Sequence, residues 1–213
     1  MPNRSRELPR ETADRLVTYL RPLLCLQAEG TSTVSSTRIA ELCSVNPAVV
    51  RKDFSFIGKL GTRGVGYEVD ELLDAIRREL GLDRGVALIV VGVGNIGRAL
   101  LQQRRFDFEG FRIVAAFDND PEKIGATIGG TAVEDVRLLE ERISEERIQL
   151  AVLTVPETEA PTMARRLGEA GVRSILSFAP CRIALPADLD VTCMDLSVLM
   201  AQIVCHSHRK EER

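Results

Sequence analysis

The residues with the most legible chemistry are three glycines and an aspartate. Gly92-Val-Gly-Asn-Ile-Gly97 directly follows the apolar run Val86–Val91 and opens a helical stretch, Arg98 to Arg104. Glycine at 92 permits a tight turn, at 94 it lets a pyrophosphate approach the backbone, and at 97 it lets helix and strand pack closely. The N-terminus of the following helix adds oriented N–H donors for phosphate. Asp118 ends a second apolar run, Arg112–Phe117, and lies 21 residues past Gly97. A carboxylate there accepts hydrogen bonds from the adenosine ribose and repels a 2′-phosphate, which predicts NAD(H) rather than NADP(H).

A second group of residues suits a polyanion. Asn46-Pro47 can cap and begin a helix in which Val50, Phe54 and Ile57 form an inward stripe, leaving Arg51, Lys52 and Ser55 off it. A short helix from Ser36, carrying Ile39, Ala40 and Leu42, precedes it across the turn Cys43–Asn46, as in a helix-turn-helix. Lys59-Leu-Gly-Thr-Arg-Gly-Val-Gly-Tyr67 then reads as a glycine-rich β-wing with Arg63 at its tip, fit to enter a narrow groove. Lys59 and Arg63 complete a basic set with Arg51 and Lys52.

Around these residues the elements alternate by position. Thr12 to Gly30 reads as an amphipathic helix that Pro22 kinks or brings to its last turn. Residues 69–80 form another helix, and Gly81–Gly85 reads as a junction. Beyond it, strands at 148–155 and 172–178 alternate with helices at about 134–146 and 158–170, a Rossmann-like order of doubly wound parallel sheet. Ligands bind at the carboxyl ends of such strands, which places Thr154-Val155-Pro156 and Ser177-Phe178-Ala179-Pro180 near the cofactor.

Composition bounds the function classes. The 213 residues carry a formal charge of −3, which argues against a nucleic-acid partner until the charge is mapped. Residues 1–67 hold ten basic against six acidic side chains, a net +4, so the remainder carries −7. The apolar run at 86–93 is too short for a membrane span, which requires roughly 20 residues, and no secretory signal is evident, so a soluble cytoplasmic chain is expected. Five cysteines without a C-x-x-C spacing argue against a disulfide framework or zinc site, and most of them read as packed thiols. Both tyrosines, Tyr19 and Tyr67, lie in the N-terminal segment, and His206 and His208 lie in a terminal helix. Hydride transfer normally needs a placed acid or base, so the cofactor is expected to be sensed rather than consumed and no catalytic residue is assigned.

Val50-Arg-Lys-Asp-Phe-Ser-Phe-Ile-Gly58, Gly61-Thr-Arg-Gly-Val-Gly-Tyr67, Gly92–Gly97, Phe117-Asp118 with Asp120-Pro-Glu-Lys-Ile-Gly125, and Phe178-Ala-Pro180 together resemble the Rex family of redox-sensing transcriptional repressors. The resemblance runs from Leu16 to about Val204. It implies a winged-helix DNA-binding domain over 1–84, a Rossmann NAD(H)-binding domain over 85–195, and a C-terminal helix and tail over 196–213. It further implies a cytoplasmic homodimer that exchanges this last helix, binds palindromic double-stranded operator DNA when NADH is low, and releases it when NADH binds. By that resemblance Arg51, Lys52 and Arg63 contact DNA, with Ser55 and Lys59 beside them. Gly92, Val93, Gly94, Asn95, Ile96, Gly97 and Asp118 hold NADH or NAD+, with Val155, Pro156, Phe178, Ala179 and Pro180 at the nicotinamide end. Arg21 and Asp195 form a coupling pair between the DNA-binding domain and the partner's pocket.

Two positions depart from that pattern: Gln103 stands where many members carry Tyr, and Ser177 where Asn is frequent. Two other classes remain open, an NAD-dependent oxidoreductase and a thiol-based regulator using Cys181, next to Pro180.

Overall fold

The computed structural model describes residues 8–62, 64–103, 110–179 and 188–211, the last six of them for backbone only. Arg63, Pro180 and Cys181 therefore lie outside the described residues. The chain divides into two compact units, Met1–Arg84 and Gly85–Arg213.

In the first unit, α1 (Arg10–Ala28) buries Leu16, Tyr19, Leu23 and Leu26 on one face. Pro22 sits inside this helix, which continues six residues past it. Of the two readings of Pro22, a kink or a last turn, the last turn is thus corrected. Packing of Leu23 and Leu26 into the core offsets the one backbone hydrogen bond that proline removes. Helix α2 (Ser36–Cys43) is capped by the Ser35 hydroxyl, which accepts from the Arg38 N–H at 3.1 Å. Helix α3 (Pro47–Ile57) is capped by Asn46, whose side-chain oxygen accepts from Ala48 at 2.8 Å. Between them Ser44 adopts φ +55°, the left-handed turn that redirects the chain.

The wing differs from a regular hairpin. Strands β1 (Thr33–Val34) and β2 (Tyr67–Glu68) pair antiparallel, so the wing's returning strand joins the segment before α2, while the loop itself closes through a bridge between Thr62 and Gly66. Val69 is the first residue of α4 (Val69–Glu79), where the helix expected over 69–80 begins. A core of Leu16, Tyr19, Leu23, Ile39, Val50, Phe54, Leu72, Leu73 and Ile76 holds this unit together.

The second unit is a seven-stranded sheet ordered β5-β6-β4-β3-β7-β8-β9. Its strands are β3 (Val86–Val91), β4 (Phe111–Asp118), β5 (Thr127–Ile128), β6 (Thr131–Asp135), β7 (Leu150–Leu153), β8 (Ser174–Ser177) and β9 (Asp190–Cys193). All neighbours pair in parallel except β5 with β6. Helices α5 (Asn95–Leu101), α6 (Leu139–Glu146) and α7 (Ala160–Glu169) connect them, and α8 (Leu196–Glu211) ends the chain. The helix expected from residue 134 begins later, because Thr131–Asp135 pairs with β4 as a strand. Cys193 corrects the cysteine reading: it is disulfide-bonded, while Cys25, Cys43 and Cys205 are free. Such a bond depends on tertiary placement, which spacing along the chain does not encode.

Candidate functional site

Strands β3, β4 and β7 end together, and a cavity of about 430 Å³ lies at their carboxyl edge. It gathers Gly92, Gly94, Asp118, Thr154, Val155 and Pro156 from the sequence-derived set, joined by Asn119, Lys123 and Glu159. Two glycines are demanded by geometry. Gly92 has φ +94°, and a Cβ there would lie 2.8 Å from the Thr154 carbonyl oxygen; at Gly97 a Cβ would lie 2.1 Å from the Gly92 carbonyl oxygen. Gly94 is different: a Cβ would meet nothing within 4 Å and would project into open space at the start of α5. The backbone at 94 is therefore bare to the cavity beside the N–H groups of the first helical turn, which suits a pyrophosphate.

Asp118 is nearly buried, 7% exposed, and its carboxylate is already engaged. Oδ2 accepts from the Val93 N–H at 2.7 Å and from Lys123 Nζ at 3.2 Å, and Oδ1 accepts from the Asp120 N–H at 2.9 Å. Burial pushes this carboxyl up, but the bonds from Val93, Asp120 and Lys123 outweigh it and leave it below the usual range. Asp118 thus ties the glycine turn to the end of β4 and stays ionised, keeping lone pairs for ribose hydroxyls. Lys123, held by both Asp118 and Asp120, was not a sequence candidate. Its only signal was its place in the Asp120-Pro-Glu-Lys segment.

Thr154 completes the turn. Its hydroxyl donates to the Gly92 carbonyl at 2.5 Å and lies within 3.2 Å of the Val91 carbonyl. Val93 and Gly97 are buried in the loop and first turn, whereas Asn95 and Ile96 are exposed on α5; none of these four lines the cavity. Phe178 and Ala179 follow β8, with the Phe178 N–H donating to the Leu153 carbonyl at 2.9 Å, and they too lie outside its lining. Ser177 is fully buried and turns its hydroxyl onto Ala179.

In the first unit, Arg51, Lys52, Ser55 and Lys59 are all exposed, while Val50 and Phe54 of the same helix are buried. Arg51 donates to the Ser36 hydroxyl oxygen at 3.2 Å, and both border a hollow that Thr62, Gly64, Val65 and Gly66 of the wing close on another side. Ser55 turns its hydroxyl to the Lys52 carbonyl at 2.6 Å, leaving its oxygen as an acceptor rather than a donor toward phosphate. Arg21 is exposed on α1, and Asp195 immediately precedes α8, where its Oδ1 accepts from the Ser197 N–H at 2.9 Å, the Ser197 hydroxyl and the Val198 N–H at 3.2 Å.

One residue of α3 that sequence reasoning passed over stands out. Asp53 is fully buried, and its carboxylate receives Arg15, Tyr19 and Thr12 from α1. Only its place in Arg-Lys-Asp, at an inward position of the helix, could have flagged it.

Comparison with known proteins agrees with both units. A family model of a DNA-binding protein N-terminus matches residues 7–55, and a CoA binding domain model matches residues 83–181. The redox-sensing transcriptional repressor Rex of Streptomyces griseus is 42% identical over 207 residues, covering 97% of this chain and 82% of that protein. The crystal structure of RSP, a Rex-family repressor, in complex with β-NAD+ and operator DNA aligns with a TM-score of 0.81 at 29% identity, over 96% of this chain and 94% of that one. RSP in complex with β-NADH aligns with a TM-score of 0.80 at 28% identity, over 95% of each.

Proposed function

The chain belongs to the Rex family of redox-sensing transcriptional repressors, and we propose that it binds operator DNA through its first unit and lets go when NADH enters the cavity of its second. The observation that carries this reading is the bare backbone at Gly94 opening onto the cavity that Asp118 and Thr154 frame. The exposed Arg51, Lys52 and Lys59, with Arg63, supply the charge for phosphates and base edges. NADH brings a neutral nicotinamide and NAD+ a cationic one, and only such a difference in affinity for two arrangements of the protein can shift DNA binding.

The cavity is read as a sensor's pocket rather than a catalytic one. Two of its titratable groups, Asp118 and Lys123, are paired with each other, and neither tyrosine belongs to the unit that holds it. The reading includes a cytoplasmic location, which is supported by its two ligands, operator DNA and the cellular NADH pool. It also includes a homodimer, and what supports it is α8, whose Leu196, Val198, Met200, Ile203 and Val204 are all more than half exposed. In that dimer Asp195 faces Arg21 of the other copy: the bonds at the start of α8 all fall on Oδ1, which leaves Oδ2 for a guanidinium.

The test is titration of purified protein onto selected duplex DNA, with NADH, with NAD+ and with neither, at two salt concentrations. NADH-driven release with steep salt dependence supports the reading. Tight, NADH-insensitive binding, or steady NADH consumption with candidate substrates, overturns it. One observation favours a second, thiol-based input beside NADH: Cys193, two residues before Asp195, is disulfide-bonded. If peroxide still alters operator binding in Cys193→Ser and in Cys181→Ser, that input is excluded.

A further inference from the structure

We infer that Asp53 is a positioning residue: with Arg15, Tyr19 and Thr12 it forms a buried polar clamp that fixes the roll of α3 on α1, so that Arg51 and Lys52 point outward. The inference rests on the reading of α3 as the DNA-contacting helix. Thr12, Arg15 and Tyr19 stand at i, i+3 and i+7, one face of α1. Arg15 grips the carboxylate with two parallel bonds, Nε to Oδ2 and Nη2 to Oδ1, both 2.7 Å. The Tyr19 hydroxyl donates to Oδ2 at 2.8 Å and the Thr12 hydroxyl to Oδ1 at 3.2 Å. Arg15 Nη2 also reaches the Thr12 hydroxyl oxygen at 3.3 Å, so the donors are held by one another.

Four bonds on one carboxylate use nearly all of its acceptor capacity. Burial pushes the Asp53 carboxyl up, but Arg15, Tyr19 and Thr12 more than offset this and hold it below the usual carboxylate range. The same contacts push the Tyr19 phenol up, burial first and Asp53 next. The clamp is therefore a carboxylate with neutral phenol and charged guanidinium throughout the neutral range.

Cohesion alone does not require it. An aliphatic side chain at 53 would hold α3 to α1 as well or better, since a buried ion pair loses in desolvation much of what it gains. What apolar contacts lack is direction. Val50 and Phe54 pack against α1 without specifying a unique rotation, whereas a bidentate guanidinium bond fails when the helix turns or slides. At 100° per residue, Arg51 lies nearly opposite Asp53, and Lys52 and Ser55 lie away from the core. A roll of α3 would therefore move all three relative to DNA together. The Tyr19 ring adds a wedge, edge-on to Phe54 with centroids 5.6 Å apart and planes at 83°.

The experiment compares wild type, Asp53→Asn, Arg15→Gln and Tyr19→Phe for operator affinity across a salt series, with circular dichroism to establish folding and NADH binding as a control on the second unit. Tyr19→Phe keeps the ring and its contact with Phe54 and removes one donor, so it decides the question even if Asp53→Asn does not fold. The expected result is folded Tyr19→Phe and Arg15→Gln proteins that bind NADH as wild type does. Each binds operator at least fivefold more weakly, with a shallower slope of log affinity against log salt because fewer phosphates are met at once. A merely structural role would lower thermal stability and leave affinity and slope of the folded protein unchanged; that result overturns the inference. Failure of wild type itself to bind DNA would instead overturn the functional reading beneath it.

Discussion

Among the described residues, Asp118 and Asp53 are the buried carboxylates, and each is held ionised by donors from elsewhere in its own unit. A group whose folded pKa lies below its unfolded value contributes stability that is fully present above the ordinary carboxylate range and is lost as pH falls through the depressed value. Asp53→Asn should therefore unfold at lower temperature than wild type at pH 7. Its cost is about 2–3 kcal/mol, toward the low end for a broken buried pair because Arg15 is 30% exposed and can reach water. The gap between the two melting curves should narrow below about pH 4, where the carboxylate of the unfolded chain takes up a proton while the folded one still holds its charge; a gap that is constant from pH 7 to pH 3 contradicts the assignment. At the cavity, Thr154→Val keeps the shape of the side chain but removes the donor to the Gly92 carbonyl. NADH affinity should drop by about tenfold, the scale of one lost hydrogen bond of about 1 kcal/mol plus a loosened glycine turn, with little change in DNA affinity when no NADH is present. Equal NADH titrations for the two proteins would show that Thr154 does not hold the turn.

Elements differ in how much of them the sequence displays. The α3 stripe of Val50, Phe54 and Ile57 and its Asn46 cap are local signals, and the helix begins and ends where they indicate. The Gly92–Gly97 turn is equally local, because the strand, the helix and the glycines that join them are contiguous. Strands β5, β6 and β9 were not legible, since they are two to five residues long and owe their pairing to β4, β8 or each other rather than to any alternation of their own. The wing was half legible: its glycines show, but β2 pairs with a two-residue strand more than thirty positions earlier. The Asp53 clamp escaped notice because an acidic residue beside Arg51 and Lys52 reads as surface charge until the opposing face of α1 is known. Gly97→Ala tests the local part. Its methyl would fall 2.1 Å from the Gly92 carbonyl oxygen, a contact with backbone that cannot swing aside. Either α5 shifts or the turn opens, and NADH binding should fall by a hundredfold or more while the first unit, folded on its own core, retains its helical signal. Retention of NADH affinity within threefold of wild type would mean that the turn tolerates what the geometry forbids.

At the scale of the whole molecule the governing fact is an imbalance between charge and apolar surface. The +4 of residues 1–67 is modest for a DNA-binding module, and only a second copy, brought to an adjacent half-site, doubles the phosphates neutralised at once. In the proposed dimer, helix α8 is the means. Leu196, Leu199, Met200, Ile203 and Val204 share one side of the helix and are between 40% and 68% exposed, apolar area that water disfavours. Covering these side chains contributes on the order of 1 kcal/mol each beyond their present burial, from both copies at once. That sum is comparable with the roughly 4–15 kcal/mol that association costs, so a few of them decide whether the proposed dimer persists. Met200→Asp with Ile203→Asp places two charges in this surface and should convert the protein to monomer, read as a halved mass by sedimentation equilibrium. Operator affinity should then fall by at least a hundredfold, and the slope of log affinity against log salt should drop to about half, because one half-site is held instead of two. NADH binding should persist in the same variant, since Gly92, Gly94, Asp118 and Thr154 all lie within one copy. A double variant that sediments as a dimer, or a monomer that binds the full operator with wild-type affinity, would separate DNA binding from α8 and return the weight of recognition to a single copy.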